Sequence, residues 1–305
     1  MNYRHAYHAG NFADVLKHAV LALVIEHLKR KEAPFRVIDT HAGAGRYALT
    51  SAEAAKTGEW RDGIGRLLGA DARPLPGEVA RRLRPYLDAV RAESAGAAIA
   101  SYPGSPCLAL RLMRAQDRLI ANELHEEDRA HLERAIGRDL RAKVLALDGW
   151  LALKALLPPR ERRGVVLIDP PFEEEGELER LANGLAEAIG RFATGAYLAW
   201  YPIKDPKPIA RFHHALTAMA LPKPPLFAEL LIRRPVDPDV LNGCGLVIVN
   251  GPYTLEDDLR IVLPELSRRL ARAPGAKHRL GNVAHAGEEM QKAPAPGKRR
   301  MRIRP

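Results

Sequence analysis

The sequence predicts an α/β protein, a mainly parallel, twisted sheet covered by helices on both faces. Three observations predict it. Continuous apolar runs of strand length recur along the chain, stretches with apolar residues at helical spacing separate them, and several runs stop at an acid. In sheets of this kind ligands bind outside the carboxyl ends of the strands.

The elements follow in order. From Asn11 to Lys31 the apolar positions Val15, Leu16, Ala19, Val20, Leu23, Val24 and Leu28 recur at helical spacing and predict an amphipathic helix. Phe35–Asp39 reads as the first strand, followed by the glycine-containing turn Thr40-His41-Ala42-Gly43-Ala44-Gly45-Arg46. Residues 47–98, punctuated by Pro74, Pro76 and Pro85, break the rhythm and read as a small inserted helical subdomain. Further strands are expected at Arg118–Glu123, Lys143–Leu147, Gly164–Ile168, Gly195–Trp200, Phe227–Ile232 and Gly245–Val249. The expected organisation is therefore 1–46 (arm, cover helix, first strand and turn), 47–98 (insertion), 99–273 (remainder of the domain) and 274–305. That last stretch of Gly, Pro, Ala and basic residues reads as largely disordered.

Composition narrows the class. With 305 residues and 47% apolar content the chain can bury a full core. Cys107 and Cys244 lie in no metal-ligand spacing and form no disulfide framework, so a reducing, cytoplasmic setting and no metal are expected. Neither a signal peptide nor an apolar run of about 18 residues, long enough to cross a bilayer, is present in the sequence. The net charge of +10 suits a polyanionic partner. Residues 275–305 hold eight Lys or Arg against two Glu, a net of +6, which leaves only +4 for the first 274 residues. A solvated, arginine-rich surface accounts for that remainder equally well.

The sharpest local signal is Asp169-Pro170-Pro171-Phe172, which follows a strand and precedes a helix. An adenine amino group is a poor nucleophile because its lone pair is delocalised into the ring. Two acceptors on its hydrogens, here the Asp169 carboxylate and the Pro170 carbonyl, favour a geometry in which the lone pair can attack. Pro171 offers no competing N–H, and Phe172 offers a face on which a flipped base stacks. A plain strand-ending turn uses the same residue types. Asp39-Thr40-His41-Ala42-Gly43-Ala44-Gly45 resembles the first cofactor motif of methyltransferases, in which glycines let the backbone approach the amino-acid part of S-adenosylmethionine. It is neither a P-loop nor a complete dinucleotide fingerprint. Glu123 is placed to accept both ribose hydroxyls, and Asp148-Gly149 to bind the cofactor's adenine. His18 lies four residues after Asp14, where the first helix could cover the cofactor, or could simply expose a His–Asp pair; His41 sits inside the glycine turn. The arm Tyr3, Arg4, His5, Tyr7 and His8 mixes aromatic and basic groups suited to unpaired RNA, though a frayed terminus carries the same residues equally well; Tyr3, Arg4 and Lys17 are the expected RNA contacts.

Several stretches coincide with one family. Tyr3-Arg4-His5-Ala6-Tyr7-His8-Ala9-Gly10-Asn11, Ala13-Asp14-Val15-Leu16-Lys17-His18, Asp39 through Tyr47, Tyr102-Pro103-Gly104-Ser105-Pro106, Glu123-Leu124-His125, Asp148-Gly149, Asp169-Pro170-Pro171 and Trp200-Tyr201-Pro202 carry the match. Over roughly residues 2–273 the chain resembles the bacterial 23S ribosomal RNA adenine-N6 methyltransferases of the RlmJ type. The resemblance implies a Rossmann-like class I methyltransferase fold with the insertion after the first strand. It further implies a monomer that uses S-adenosylmethionine, leaves S-adenosylhomocysteine, and acts on naked 23S ribosomal RNA or an early assembly intermediate. Cofactor contacts would be His18, His41, Gly43, Ser105, Glu123, Asp148, Gly149 and Asp169, with Asp169 also the catalytic acceptor. Ser105 enters through the resemblance alone. The chain departs from the family at Asn250-Gly251-Pro252-Tyr253, where Asn-Pro-Pro is usual, and in its basic tail. Two rivals remain at this point: an amino-methyltransferase of the same fold acting on DNA adenine or protein glutamine, and a non-catalytic RNA-binding protein.

Overall fold

The computed structural model describes residues 4–283 apart from 95, 97 and 220. After one 3₁₀ turn at His5–Tyr7, Asn11 starts α1 (Phe12–Leu28), its Oδ1 accepting from the N–H groups of Ala13 at 2.9 Å and Asp14 at 3.1 Å. The chain continues through β1 (Arg36–Asp39), β2 (Arg46–Ala48), α2 (Ala52–Thr57), α3 (Glu59–Asp62), α4 (Gly65–Leu68), α5 (Gly77–Arg91), β3 (Ser101–Pro103) and α6 (Ser105–Leu112). Alternation then takes over, with β4 (Arg118–Asn122), α7 (Glu126–Ile136), β5 (Ala142–Leu145), α8 (Gly149–Leu156), β6 (Gly164–Ile168), α9 (Glu177–Arg191), β7 (Ala196–Ile203) and α10 (Pro206–Thr217). Last come β8 (Leu226–Leu231), β9 (Gly243–Val249), α11 (Leu255–Leu270) and β10 (Lys277–Asn282).

Eight strands form one sheet in the order β10-β8-β9-β7-β6-β1-β4-β5. β5, β4, β1, β6 and β7 are parallel, whereas β9 runs antiparallel between β7 and β8. The expected α/β architecture with helices on both faces is the one observed. One core joins α1, α5, α6 and α11 to one face; the other joins α8, α9 and α10 to the opposite face. Each fully buried Leu, Val or Ile on these faces contributes about 1.5–3 kcal/mol. The first strand lies between β4 and β6, so the direction of winding reverses at β1, and a crevice opens at its carboxyl end.

Three sequence expectations need correction. The first helix is not a surface helix with a solvated polar stripe: every residue from Phe12 to Ala22 is buried, because the insertion packs over its outer side through α5. The insertion is closed by a small antiparallel ribbon the sequence did not reveal, β2 with β3, in which Tyr47 faces Tyr102. Nor does the sheet end before residue 274. Lys277–Asn282 forms the edge strand β10, paired with β8, and it escaped notice because its residues are mostly polar, as solvent-facing edge strands are. The rest of the predicted tail, 284–305, lies outside the described residues. At the departure from the family pattern, Asn250 adopts φ +52° and its side chain donates to the carbonyls of Ala193 at 2.8 Å and Gly195 at 2.9 Å, so the turn is pinned without the second proline.

Candidate active site

The four acids expected at strand ends do converge. Asp39 closes β1, Glu123 follows β4, Asp148 caps α8 after β5, and Asp169 follows β6. Above these ends lies a cleft of about 760 Å³ lined by Arg4, Lys17, His18, His41, Gly43, Ser105, Glu123, Asp169, Pro170 and Phe172. An adjoining pocket of about 230 Å³ contains Asp148 and Gly149 and shares His41, Glu123, Pro170 and Pro171 with the cleft. Every sequence-predicted site residue among the described ones therefore lies along one continuous trench. Tyr3 lies outside the described residues.

The floor of the cleft is a chain of buried charges. Lys17 Nζ sits 2.5 Å from Asp169 Oδ2 and 3.0 Å from Asp14 Oδ1. Asp14 Oδ2 accepts from the Gly10 N–H at 2.8 Å and from His5 Nε2 at 2.9 Å. Burial works against both charges, yet the two carboxylates hold the Lys17 pKa well above that of an ordinary lysine, and His5 and Lys17 hold that of Asp14 well below the usual carboxylate range. Lys17, expected as an RNA contact, is instead a buried link, its side chain only 6% exposed. It engages Oδ2 of Asp169, which lines the cleft with Pro170 and Phe172.

The histidines are not surface groups either. His18 Nδ1 bonds Tyr102 Oη at 2.7 Å, its ring stacks on Tyr102 with centroids 5.5 Å apart, and Tyr102 Oη bonds Tyr86 Oη at 2.9 Å. Its Nε2 stands 3.9 Å from Asp14 Oδ1, beyond hydrogen-bond reach, and has no partner among the described residues. The exposed His–Asp pair is thus overturned, and burial pushes the imidazole down to about 3, so it is neutral near pH 7. His41 is pushed down to about 4 by the same cause and stands edge-on to Trp150 at 5.9 Å. A Cβ on Gly149 would meet His41 Nε2 at 2.2 Å, which is why glycine opens α8.

Gly43 adopts φ +61°, and an added Cβ would strike Tyr47 Oη at 2.3 Å. Its N–H donates to Glu123 Oε2 at 2.8 Å, while Glu123 Oε1 accepts from the His125 N–H at 2.8 Å. Burial raises the Glu123 pKa against those two bonds, and pushes Asp39 up to about 6 against the hydroxyl of Ser105. Asp148 has a structural task as well, its Oδ1 capping α8 through the N–H groups of Trp150 and Leu151, each at 3.0 Å. Phe172, at φ +54°, stands edge-on to Trp200 with centroids 5.7 Å apart. Arg4 reaches across the mouth to Glu127 at 3.1 Å.

Sequence reasoning missed the roles of Asp14, Tyr102 and Trp200. The spacing of Asp14 from Lys17, one helical turn, was the available signal for the first. Tyr102 and Trp200 lay in motifs quoted for the resemblance, without a function attached.

The family model described as "Ribosomal RNA large subunit methyltransferase D, RlmJ" matches residues 32–281. The chain belongs to the RlmJ family. It is 43% identical over 273 residues to Ribosomal RNA large subunit methyltransferase J of Escherichia coli, covering 90% of this chain and 95% of that one. The protein of the same name from Haemophilus influenzae is 41% identical over 270 residues, covering 88% and 94%. Among solved structures, a Legionella pneumophila protein superposes with a TM-score of 0.81 at 31% identity, covering 90% of this chain and 98% of that one. Membership in RlmJ makes this an RNA methyltransferase with a Rossmann-like fold. Among the described residues no group of metal-binding side chains occurs, and no helix is long and apolar enough to cross a membrane.

Proposed function

We propose that this chain transfers the methyl group of S-adenosylmethionine to the exocyclic N6 amino group of an adenine in 23S ribosomal RNA. The observation that carries the reading is Asp169 on the cleft floor, one oxygen held by Lys17 at 2.5 Å and the other left for a substrate beside Pro170 and Phe172. Membership of the family and the names of the curated relatives support ribosomal RNA as the substrate class.

The trench fits the cofactor on its own residues. Glu123, His18 and His41 line it, His18 Nε2 has no hydrogen-bond partner among the described residues, and Gly43 and Gly149 leave room that a Cβ would fill. S-adenosylmethionine supplies an electrophilic methyl group on a sulfonium. Glu123 would hold the ribose, Asp148 and Gly149 the adenine, and His18, His41, Gly43 and Ser105 the amino-acid part and its surroundings. Asp169 Oδ1 and the Pro170 carbonyl accept the two amino hydrogens of the target, localising the nitrogen lone pair. Asp169 would stabilise the positive charge that develops on that nitrogen during transfer, and the proton the nitrogen loses would pass to solvent in the cleft. Phe172, braced by Trp200, stacks the flipped base, worth about 1–3 kcal/mol. Arg4, which lines the cleft, and Tyr3, outside the described residues, stay our proposed RNA contacts. We read the enzyme as a cytoplasmic monomer acting on naked RNA or an early assembly intermediate.

The test offers tritiated S-adenosylmethionine with unmodified ribosomal RNA, duplex DNA or release factors as acceptors. Label should appear in the ribosomal RNA and be recovered as N6-methyladenine after digestion. Transfer to DNA or protein alone would overturn the substrate, and absence of cofactor binding by calorimetry would favour a non-catalytic RNA-binding protein.

A further inference from the structure

Many cations among the described residues hold a neighbouring carboxylate, and about as many form no ion pair, so position decides which of the latter matter. On α5, Arg81, Arg82 and Arg91 each hold an acid within 2.9 Å or less. Within the cleft Lys17 and Arg4 are likewise paired, whereas Lys204, which lines the outer rim just after β7, forms no ion pair among the described residues. From that rim α10 runs down the flank, presenting Lys207, Arg211 and His214 at the i, i+4 and i+7 positions of one exposed face. None of these three forms an ion pair among the described residues. The opposite face of α10 is apolar and buried: Ile209, Phe212 and Leu216 share a core cluster with Val283, where the described chain ends. Beyond Val283 the sequence adds six Lys or Arg against two Glu.

We propose that Lys204, Lys207 and Arg211 form a phosphate track that carries the RNA backbone away from the active cleft along α10. This rests on the reading of the chain as an RNA methyltransferase. An exposed cation left without a carboxylate keeps its counterion until a polyanion displaces it, and that release drives binding. The spacing suits the ligand: residues one helical turn apart lie about 5–6 Å from each other, close to the separation of successive phosphates, and the first cation stands at the mouth from which a flipped nucleotide must leave. Membrane or acidic-protein partners gain nothing from a stripe that begins inside a catalytic cleft.

The test reverses the stripe in the full chain, Lys204→Glu with Lys207→Glu and Arg211→Glu, and uses Arg81→Glu with Arg84→Glu and Arg91→Glu as a control of equal charge change on α5. KM for unmodified ribosomal RNA should rise by about tenfold or more, and the slope of log KM against log salt should flatten by about 2–3, as expected for three lost phosphate contacts. Calorimetric affinity for S-adenosylmethionine reports an intact fold. The track is overturned if a variant that still binds the cofactor keeps the parent KM and salt slope, or if the α5 control raises KM as much, which would leave net charge as the cause. A parent enzyme that labels DNA or protein instead of RNA would defeat the underlying substrate reading, a result visible before any variant is made.

Discussion

Two buried polar networks flank the strand β7, and they end differently. At the cleft, His5, Asp14, Lys17 and Asp169 form a chain whose last carboxylate opens into solvent-accessible space, with His18 Nε2 unpartnered beside it. On the antiparallel side, Tyr201 Oη bonds His213 Nε2 at 3.0 Å and donates to Glu229 Oε1 at 3.1 Å, and Arg279 donates to Glu229 Oε2 at 3.0 Å. No buried side-chain atom of those four lacks a partner among the described residues. The closed network fastens β10 to β8 and α10 to the sheet. The open one leaves its acceptor for something else. Buried charge of itself is no mark of function; an unfinished hydrogen-bond network facing a cavity is the better sign.

Breaking each network should therefore hurt different properties. Asp169→Asn removes the charge facing the substrate, and kcat should fall by about 10³-fold, near 4 kcal/mol, while calorimetric affinity for S-adenosylmethionine changes little. Equal losses of both in a folded variant would contradict the assigned role. Lys17→Met strips two buried carboxylates of their cation. Denaturant titration should show a loss of about 3–5 kcal/mol, together with a fall in kcat, because Asp169 loses its fixed orientation. In the closed network, Glu229→Gln should cost about 1–3 kcal/mol in the same titration and leave kcat within about twofold. A kcat collapse there would erase the distinction.

The smallest effect is one of pH. His18 is pushed from 6.5 to about 3, so the unfolded chain binds a proton near pH 5 that the folded one does not. Stability from this residue is full above pH 6.5 and is lost as pH falls towards 3. Replacing it, His18→Asn, should lower the pH dependence of unfolding free energy between pH 4.5 and 6 by about one proton, or about 1.4 kcal/mol per pH unit. An unchanged slope would mean that the imidazole is solvated and protonates in the fold.

The central strands could be read from sequence because both faces of the sheet are covered there, so β6 and β9 are apolar throughout and β1 is apolar between Arg36 and Asp39. The edge strand β10 and the β2–β3 ribbon could not, since polar or three-residue strands carry no such run. Gly43, Glu123 and Asp169 announced themselves as glycine turn and strand-end acids. Asp14 did not: its place on a helix gave no hint that α5 would seal that helix from solvent.

The sequence by itself determined the alternation of the core strands with helices, the strand-end acids and the Asp-Pro-Pro-Phe turn, since each depends on residues close together in the chain. Tertiary structure alone decided that Lys17 meets Asp169 across 152 positions, that α1 is buried on all sides from Phe12 to Ala22, and that the cations of α10 form no ion pair among the described residues. Those outcomes depend on which surfaces face one another after the chain has crossed the sheet. Local periodicity and spacing carry no information about that.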